Sequence, residues 1–257
     1  MKILPTIGPS TQKIKDLKFL FKYCSMARIN TSHNNISWHK KIISLIKKIN
    51  PKIDILVDIP GIKPRTNNIK NLILKKNETV DFGYKLKKSK RKFIELTRKL
   101  PKKRGKVNKF FSIDDGKILF KLIKFNKNVI TGKTLSECII KPKKGLNIPY
   151  SIYDNSAQKK IYLEYLNKLK NSKFNAVGLS FVQNKDLIFY LKKKFPNILM
   201  VSKIENSEGL KNSKDICKFS DAVMIDRGDL SAEIGDNNLY DAILKISELT
   251  KKYGKPL

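Results

Sequence analysis

The chain has 257 residues, 40% of them hydrophobic, enough to bury the core of one or two domains and too many for disorder by composition. Its 55 Lys and Arg against 22 Asp and Glu give a net charge of +33, a balance that ordinarily suggests nucleic acid or an anionic surface. The excess is spread over the whole chain with abundant Asn and Ile, the drift an AT-rich genome imposes on any protein, so neither a specific nucleic acid nor a membrane is expected as a partner.

Residues 2–7 read as a short apolar strand that stops at Gly8-Pro9-Ser10-Thr11. Ser10 or Thr11 would cap the helix that follows, whose apolar positions include Ile14, Leu17, Leu20 and Phe21. A second strand over 25–30 runs into Thr31-Ser32-His33-Asn34, and a helix over roughly 36–49 carries His39, expected at the surface. A third strand, 54–58, leads into Ile59-Pro60-Gly61-Ile62-Lys63-Pro64-Arg65-Thr66. Over 67–145 helical periodicity fades, lysine becomes dense, and β-rich pieces at 79–82, 117–120 and 128–130 alternate with turns. That is the pattern of a small β domain inserted between a strand and its next helix. The basic stretch 85–109 reads as a solvated loop, with grip on an acidic partner as the alternative.

After the insert come a helix over 151–169, a strand over 175–182, a helix near 184–194 and an apolar strand at 198–201. A helix over 208–218, a strand at 222–225 and an amphipathic helix over 241–253 complete the series. Alternating strands and helices imply a parallel sheet with right-handed crossovers. Six such units are expected where a complete (β/α)8 barrel has eight, and 254–257 stand where the seventh strand should begin. The domains expected are therefore a barrel domain from 1–66 and 146–257 and a β-rich unit from 67–145. Cys24, Cys138 and Cys217 make no CxxC pair and no zinc spacing, so reduced thiols and a cytoplasmic setting follow. The opening MKILPTIGPS is too short and too interrupted for a signal peptide.

The chemistry concentrates at two strand ends. Lys203 and Glu205, one residue apart, project from one face, and Arg227-Gly228-Asp229 follows the next apolar run. Parallel α/β folds keep their active sites at such C-terminal ends. Two carboxylates, Glu205 and Asp229, suit a hard divalent cation such as Mg²⁺, and Lys203, placed at a strand end rather than in the core, suits stabilisation of developing negative charge. By spacing alone, solvated charges at two strand ends are an equal reading. For Asn30 and Ser32 the reading from the residues alone is ordinary turn capping.

Lys203-Ile204-Glu205-Asn206 and 220–234, SDAVMIDRGDLSAEI, resemble the SKIEN…DGIMVARGDLG segment of pyruvate kinase. The resemblance extends along the chain: TIGPST to TIGPAS, ARINTSHN to ARLNFSHG, DIPGIKPRT to DLPGPKIRT, Ser112–Gly116 to the IDDG turn, and 143–149 to KGVNLPG. It implies an incomplete TIM (β/α)8 barrel with an inserted small β-barrel lid, and phosphoryl transfer from phosphoenolpyruvate to ADP, giving pyruvate and ATP in glycolysis. It also implies roles: Lys203 and Arg28 as catalytic residues, and Arg28, Lys203 and the backbone of Gly228 and Asp229 for the substrate. Asn30, His33, Arg65, Lys144 and Asp114 would contact the nucleotide. Glu205 and Asp229 would hold Mg²⁺ or Mn²⁺, while Asn30, Ser32, Asp58 and the Ile59 carbonyl would hold K⁺, whose charge Lys63 can replace. A homo-oligomer or a missing C-terminal segment is expected. The competing function is a catalytically lost relic kept as a binding protein or not selected; another phosphoenolpyruvate-using barrel enzyme is weaker, because the lid motifs also match.

Overall fold

The architecture is that of a computed structural model, which describes residues 3–85, 91–103 and 109–257. A five-stranded parallel sheet forms the framework, with strands Met26–Asn30, Asp54–Ile59, Ala176–Leu179, Leu199–Ile204 and Ala222–Ile225 adjacent in chain order. Helices Ile36–Ile49, Asn155–Leu169, Lys185–Lys194, Ser207–Lys211, Ser213–Phe219 and Leu239–Lys252 supply the crossovers. The sheet's outer face packs on these helices through Ile29, Ile55, Val57, Val177, Leu179, Met200 and Ile204. Each fully buried side chain of this kind contributes about 1.5–3 kcal/mol of transfer free energy.

The opposite face alternates with the first, as the period of two requires. Toward the start of the strands it is apolar, with Met26, Leu56, Ala176, Val201 and Ala222 in one cluster. Two or four residues further along the same face stand Arg28, Asp58, Ser180, Lys203, Glu205 and Asp226. One face thus changes from apolar to charged along its length, and the change falls at the C-terminal ends of the strands.

The expected strand over 2–7 shrinks to a single bridge between Thr6 and Arg28, flanked by hydrogen bonds from Ile7 N–H to the Arg28 carbonyl and from Arg28 N–H to the Pro5 carbonyl. Pro5 has no N–H to extend the ladder. The helix after it starts at Ile14 with Lys13 as its N-cap, so neither Ser10 nor Thr11 caps it; Thr11 instead accepts the Gly8 N–H. The expected helix over 151–169 begins at Asn155 behind the cap Asp154, and Ser151–Ile152 are extended. The helix over 208–218 is two short ones meeting at Asn212. At the other sheet edge the Val223 N–H donates to the Pro256 carbonyl at 2.9 Å, where the sequence led a next strand to be expected.

Between Ile59 and Asn155 the described chain is all β. A six-stranded sheet takes the order Leu146–Asn147, Phe110–Ile113, Ile118–Phe125, Val129–Thr134, Thr79–Gly83 and Lys92–Glu95, with two further two-stranded pairs beside it. Its centre is aromatic: the rings of Phe111 and Phe120 stack at 5.1 Å, and Phe82 meets both edge-on. Residues 86–90 and 104–108 of the basic stretch lie outside the described residues. Among those described, no helix is long and apolar enough to cross a membrane.

Candidate active site

The charged end of the inner face assembles around Lys203. Its ammonium lies 2.6 Å from Glu205 Oε1, 3.2 Å from Asp58 Oδ2 and 3.7 Å from Asp226 Oδ2, and donates to Ser180 Oγ at 3.1 Å. Lys203 is 4% exposed, so the expectation of a side chain outside the core is corrected: the strand end is itself buried here. Asp58 also accepts from Arg28 Nε at 2.9 Å and Nη2 at 2.5 Å, a forked pair that fixes the guanidinium, whose Nη1 donates to Thr6.

Glu205 is held from both sides. Lys203 takes one oxygen, and the Phe181 N–H donates to the other at 2.7 Å. Phe181 reaches it with φ +61°, a left-handed conformation that bulky residues seldom adopt. The ring so displaced lies against Gly61, where an added Cβ would come within 2.5 Å of it. Glycine at 61 is therefore what admits Phe181 and, through it, the N–H on Glu205.

Burial pushes the Glu205 carboxyl upward from its ordinary pKa; Lys203 pulls it back, and Asp229, Asp58 and Asp226 push it up again, for a net rise. Burial alone would lower the Lys203 ammonium, but Glu205 and Asp58 outweigh it and hold the pKa above the ordinary lysine value. Lys203 is thus a firm cation, and its charge offsets part of the rise that burial imposes on Glu205.

The next strand delivers the remaining carboxylates. Arg227–Ile234 is a helix, and Asp226 is its N-cap, with Oδ1 facing the Asp229 N–H at 3.5 Å. Ligand oxygens of Glu205, Asp226 and Asp229 all lie within 4.8 Å of one another. Three hard oxygen donors at that spacing fit Mg²⁺ or Mn²⁺, which bind through a few carboxylates and keep the other positions for water and substrate oxygens.

Asp226 and Ser180 escaped the sequence reading. The signal for Asp226 was present, since the family form reads ARGD where this chain has Asp226-Arg227-Gly228-Asp229. The signal for Ser180 was its place in the strand-end Leu179-Ser180-Phe181-Val182.

Lys63 is 4% exposed, and its ammonium contacts Asp229 and, at 3.5 Å, Asp115. Of the residues expected at a K⁺ site, Asn30 is paired in register with Asp58, and the Ile59 carbonyl accepts the Ser180 N–H at 3.4 Å. The Asn30 side chain accepts the Ser32 N–H, the turn-capping arrangement, and Asn34 takes φ +61° in that turn. His33 is exposed there, but its carbonyl lies 2.7 Å from His39 Nε2. His39 is 1% exposed, which corrects its expected surface position: the helix face carrying Ile42, Ile43 and Ile46 also buries it. Burial lowers its pKa, against the His33 carbonyl, which raises it.

Arg65, Lys144 and Asp114 stand apart, where the all-β segment joins the parallel sheet. Lys144 pairs with Asp114 at 2.8 Å and Arg65 Nη1 donates to the Lys143 carbonyl. Pro64 leaves Arg65 extended and hydrogen-bonded through its backbone, in a bridge with Gly145. Between the turn bearing Asp115 and the helix Arg227–Ile234 lies a cleft of about 470 Å³, lined by Ser112, Asp115 and Lys117 on one side and Ser231, Glu233 and Asp236 on the other.

A family model described as "Pyruvate kinase, barrel domain" matches residues 1–257. Among curated relatives, the pyruvate kinase of Thermococcus litoralis is 28% identical over 268 residues, covering 100% of this chain and 56% of its own length. That of Methanocaldococcus jannaschii is 30% identical over 260 residues, covering 98% and 55%. That of Encephalitozoon cuniculi is 30% identical over 265 residues, covering 100% and 61%. The chain spans little more than half the length of these relatives.

Proposed function

This chain belongs to the pyruvate kinase family, and from that premise we propose that it carries the phosphoenolpyruvate and divalent-cation half of a phosphotransferase site. The observation that carries the reading is the cluster of buried Lys203, Glu205 and Asp58 with half-buried Arg28, Asp226 and Asp229 at the C-terminal rim of the sheet. Phosphoryl transfer from an enol phosphate to ADP breaks the bond between phosphorus and the enol oxygen and leaves an enolate. The protein's part is positioning and neutralisation of charge.

Lys203, held as a cation, faces the place where charge grows on the enolate oxygen and on the transferring phosphoryl group. Arg28, oriented by Asp58, presents its remaining guanidinium edge to phosphate oxygens. The N-terminus of Arg227–Ile234, at the backbone of Gly228 and Asp229, would receive the substrate carboxylate in place of the Asp226 cap. Glu205, Asp229 and Asp226 would hold a divalent cation, which would supply charge neutralisation when bound. On the nucleotide side Asn30, His33, Arg65 and Lys144 take ADP, and the all-β segment 67–145 acts as a lid over it. Lys63 supplies a positive charge beside the site, and with it turnover without K⁺ is expected; strong activation by KCl at constant ionic strength would count against that. Turnover is tested in a chain that closes the (β/α)8 barrel.

The test is Mn²⁺ binding to the full chain, read by electron paramagnetic resonance of the free ion. Glu205→Gln should weaken it at least tenfold, about 1.4 kcal/mol. Unchanged affinity removes Glu205 from the site. The reading of a relic kept as a binding protein predicts no Mn²⁺ site at all.

A further inference from the structure

Among the described residues, five acidic or lysine side chains are buried: Asp58, Lys63, Lys203, Glu205 and Glu233. Of these, Glu233 has no part in the phosphoryl-transfer reading, and Lys63 enters it only as a charge, its contacts unused. Lys63 sits on the loop that leaves the strand Asp54–Ile59, and its stem runs under the backbone of Gly145, where an added Cβ would lie 2.6 Å from its Cε and 2.8 Å from its Nζ. A side chain at 145 would therefore close the path by which Lys63 reaches the rim. The ammonium emerges 6.0 Å from the centre of the Phe181 ring, 3.5 Å from Asp115 Oδ1 and hydrogen-bonded to Asp229 Oδ1. One of the three carboxylates that fit a divalent cation is thus already occupied by a cation of the protein's own.

The two lysines of the cluster are not equivalent. Lys203 is held by Glu205, Asp58, Asp226 and Ser180 together, and leaving them would strand buried carboxylates. Lys63 already touches a second carboxylate, Asp115 at 3.5 Å, whose side chain is 58% exposed on the turn of the all-β segment. A divalent ion arriving at Asp229 therefore displaces Lys63 more readily than Lys203, and the freed ammonium has a carboxylate within reach.

We propose that Lys63 is a built-in competitor for the divalent cation: it neutralises Asp229 while the metal is absent and passes to Asp115 when the metal binds. Metal loading is thereby linked to the turn 112–116 of the segment that covers the site. The inference rests on the divalent-cation reading above, and it assigns Lys63 the setting of metal affinity.

The experiment is Mn²⁺ affinity of the full chain at constant ionic strength for wild type, Lys63→Met, Lys63→Gln, Asp115→Asn and Asp114→Asn. Removing the competitor should tighten binding about tenfold in both Lys63 variants, equivalent to about 1.4 kcal/mol. Asp115→Asn takes away the alternative partner and should weaken binding. Asp114→Asn removes a carboxylate from the same turn, one held by Lys144, and should weaken it less. Unchanged or weaker binding in folded Lys63 variants overturns the proposal and leaves the metal site standing. If the Lys63 variants lose cooperative melting, the Asp115 and Asp114 variants decide, and equal effects overturn it. Absence of Mn²⁺ binding in every variant overturns the metal site and this inference together.

Discussion

The rim of the parallel sheet and the interior of the all-β segment are built from one lysine-rich composition and hold charge in opposite ways. Every buried Asp, Glu or Lys among the described residues stands in the sheet portion or on the loop leaving it; within 67–145 the buried side chains are apolar, with only the polar Ser112, Thr131 and Thr134. The segment keeps its lysines in water and fills its centre with Phe82, Phe111 and Phe120. At the rim Lys203 and Lys63 are 4% exposed and each faces carboxylates. A buried ammonium is costly unless paired, so its presence marks a place where something other than stability is being served. In this chain the density of lysine says little and its burial says a great deal.

The sharpest way to break that contrast is Lys203→Met. It leaves Glu205 buried without its cation, while Asp58 keeps Arg28, and removing one partner of a buried pair costs about 3–5 kcal/mol. A thermal or urea melt should show this, together with loss of phosphoryl transfer in the completed enzyme; a near-wild-type melt would mean that the cluster relaxes by taking up protons.

Phe120→Ala in the other region should cost a comparable amount, about 3–5 kcal/mol, for the different reason of an apolar cavity. Its penalty should not vary between pH 5 and 9, and Mn²⁺ affinity should be untouched in the fraction that stays folded.

Glu233 gives a pH signature. Burial pushes its pKa up to about 8, against the Tyr153 hydroxyl, which donates to it at 3.1 Å, and the Lys63 charge. The folded state holds that proton more tightly than the unfolded chain, so the contribution is fully present below the ordinary value of 4.5 and is lost as pH rises to about 8. Glu233→Gln keeps an acceptor for Tyr153 and should flatten the pH dependence of Tm across that window, by an amount equivalent to about 1–3 kcal/mol. An unchanged slope would show that another group carries it.

The smallest effect is expected at an exposed pair. Lys168→Ala removes a helical contact with Glu164 in which both side chains are at least half exposed, and Tm should not move measurably.

The sequence by itself determined the order of elements, because apolar runs and alternating helical stripes are local and survive any tertiary arrangement. It also determined that Lys203 and Glu205 share a face, because period-two alternation puts residues 203 and 205 together whatever that face meets. What only the tertiary structure decided was what lies opposite. Asp58 meets Lys203 because their strands are separated in the sheet by Ala176–Leu179 alone, across 145 residues of chain. Ser180, Asp226 and the Phe181 N–H join them because each follows a strand end at the same level of the sheet. His39 and Lys203 went from expected exposure to burial for the same reason, since polarity in a sequence shows a residue's preference and not whether neighbours supply its partners. Lys63 needed the most context. Its place between Asp229 and Asp115 depends on a glycine 82 residues away that leaves room for its stem, and spacing along the chain carries no record of that.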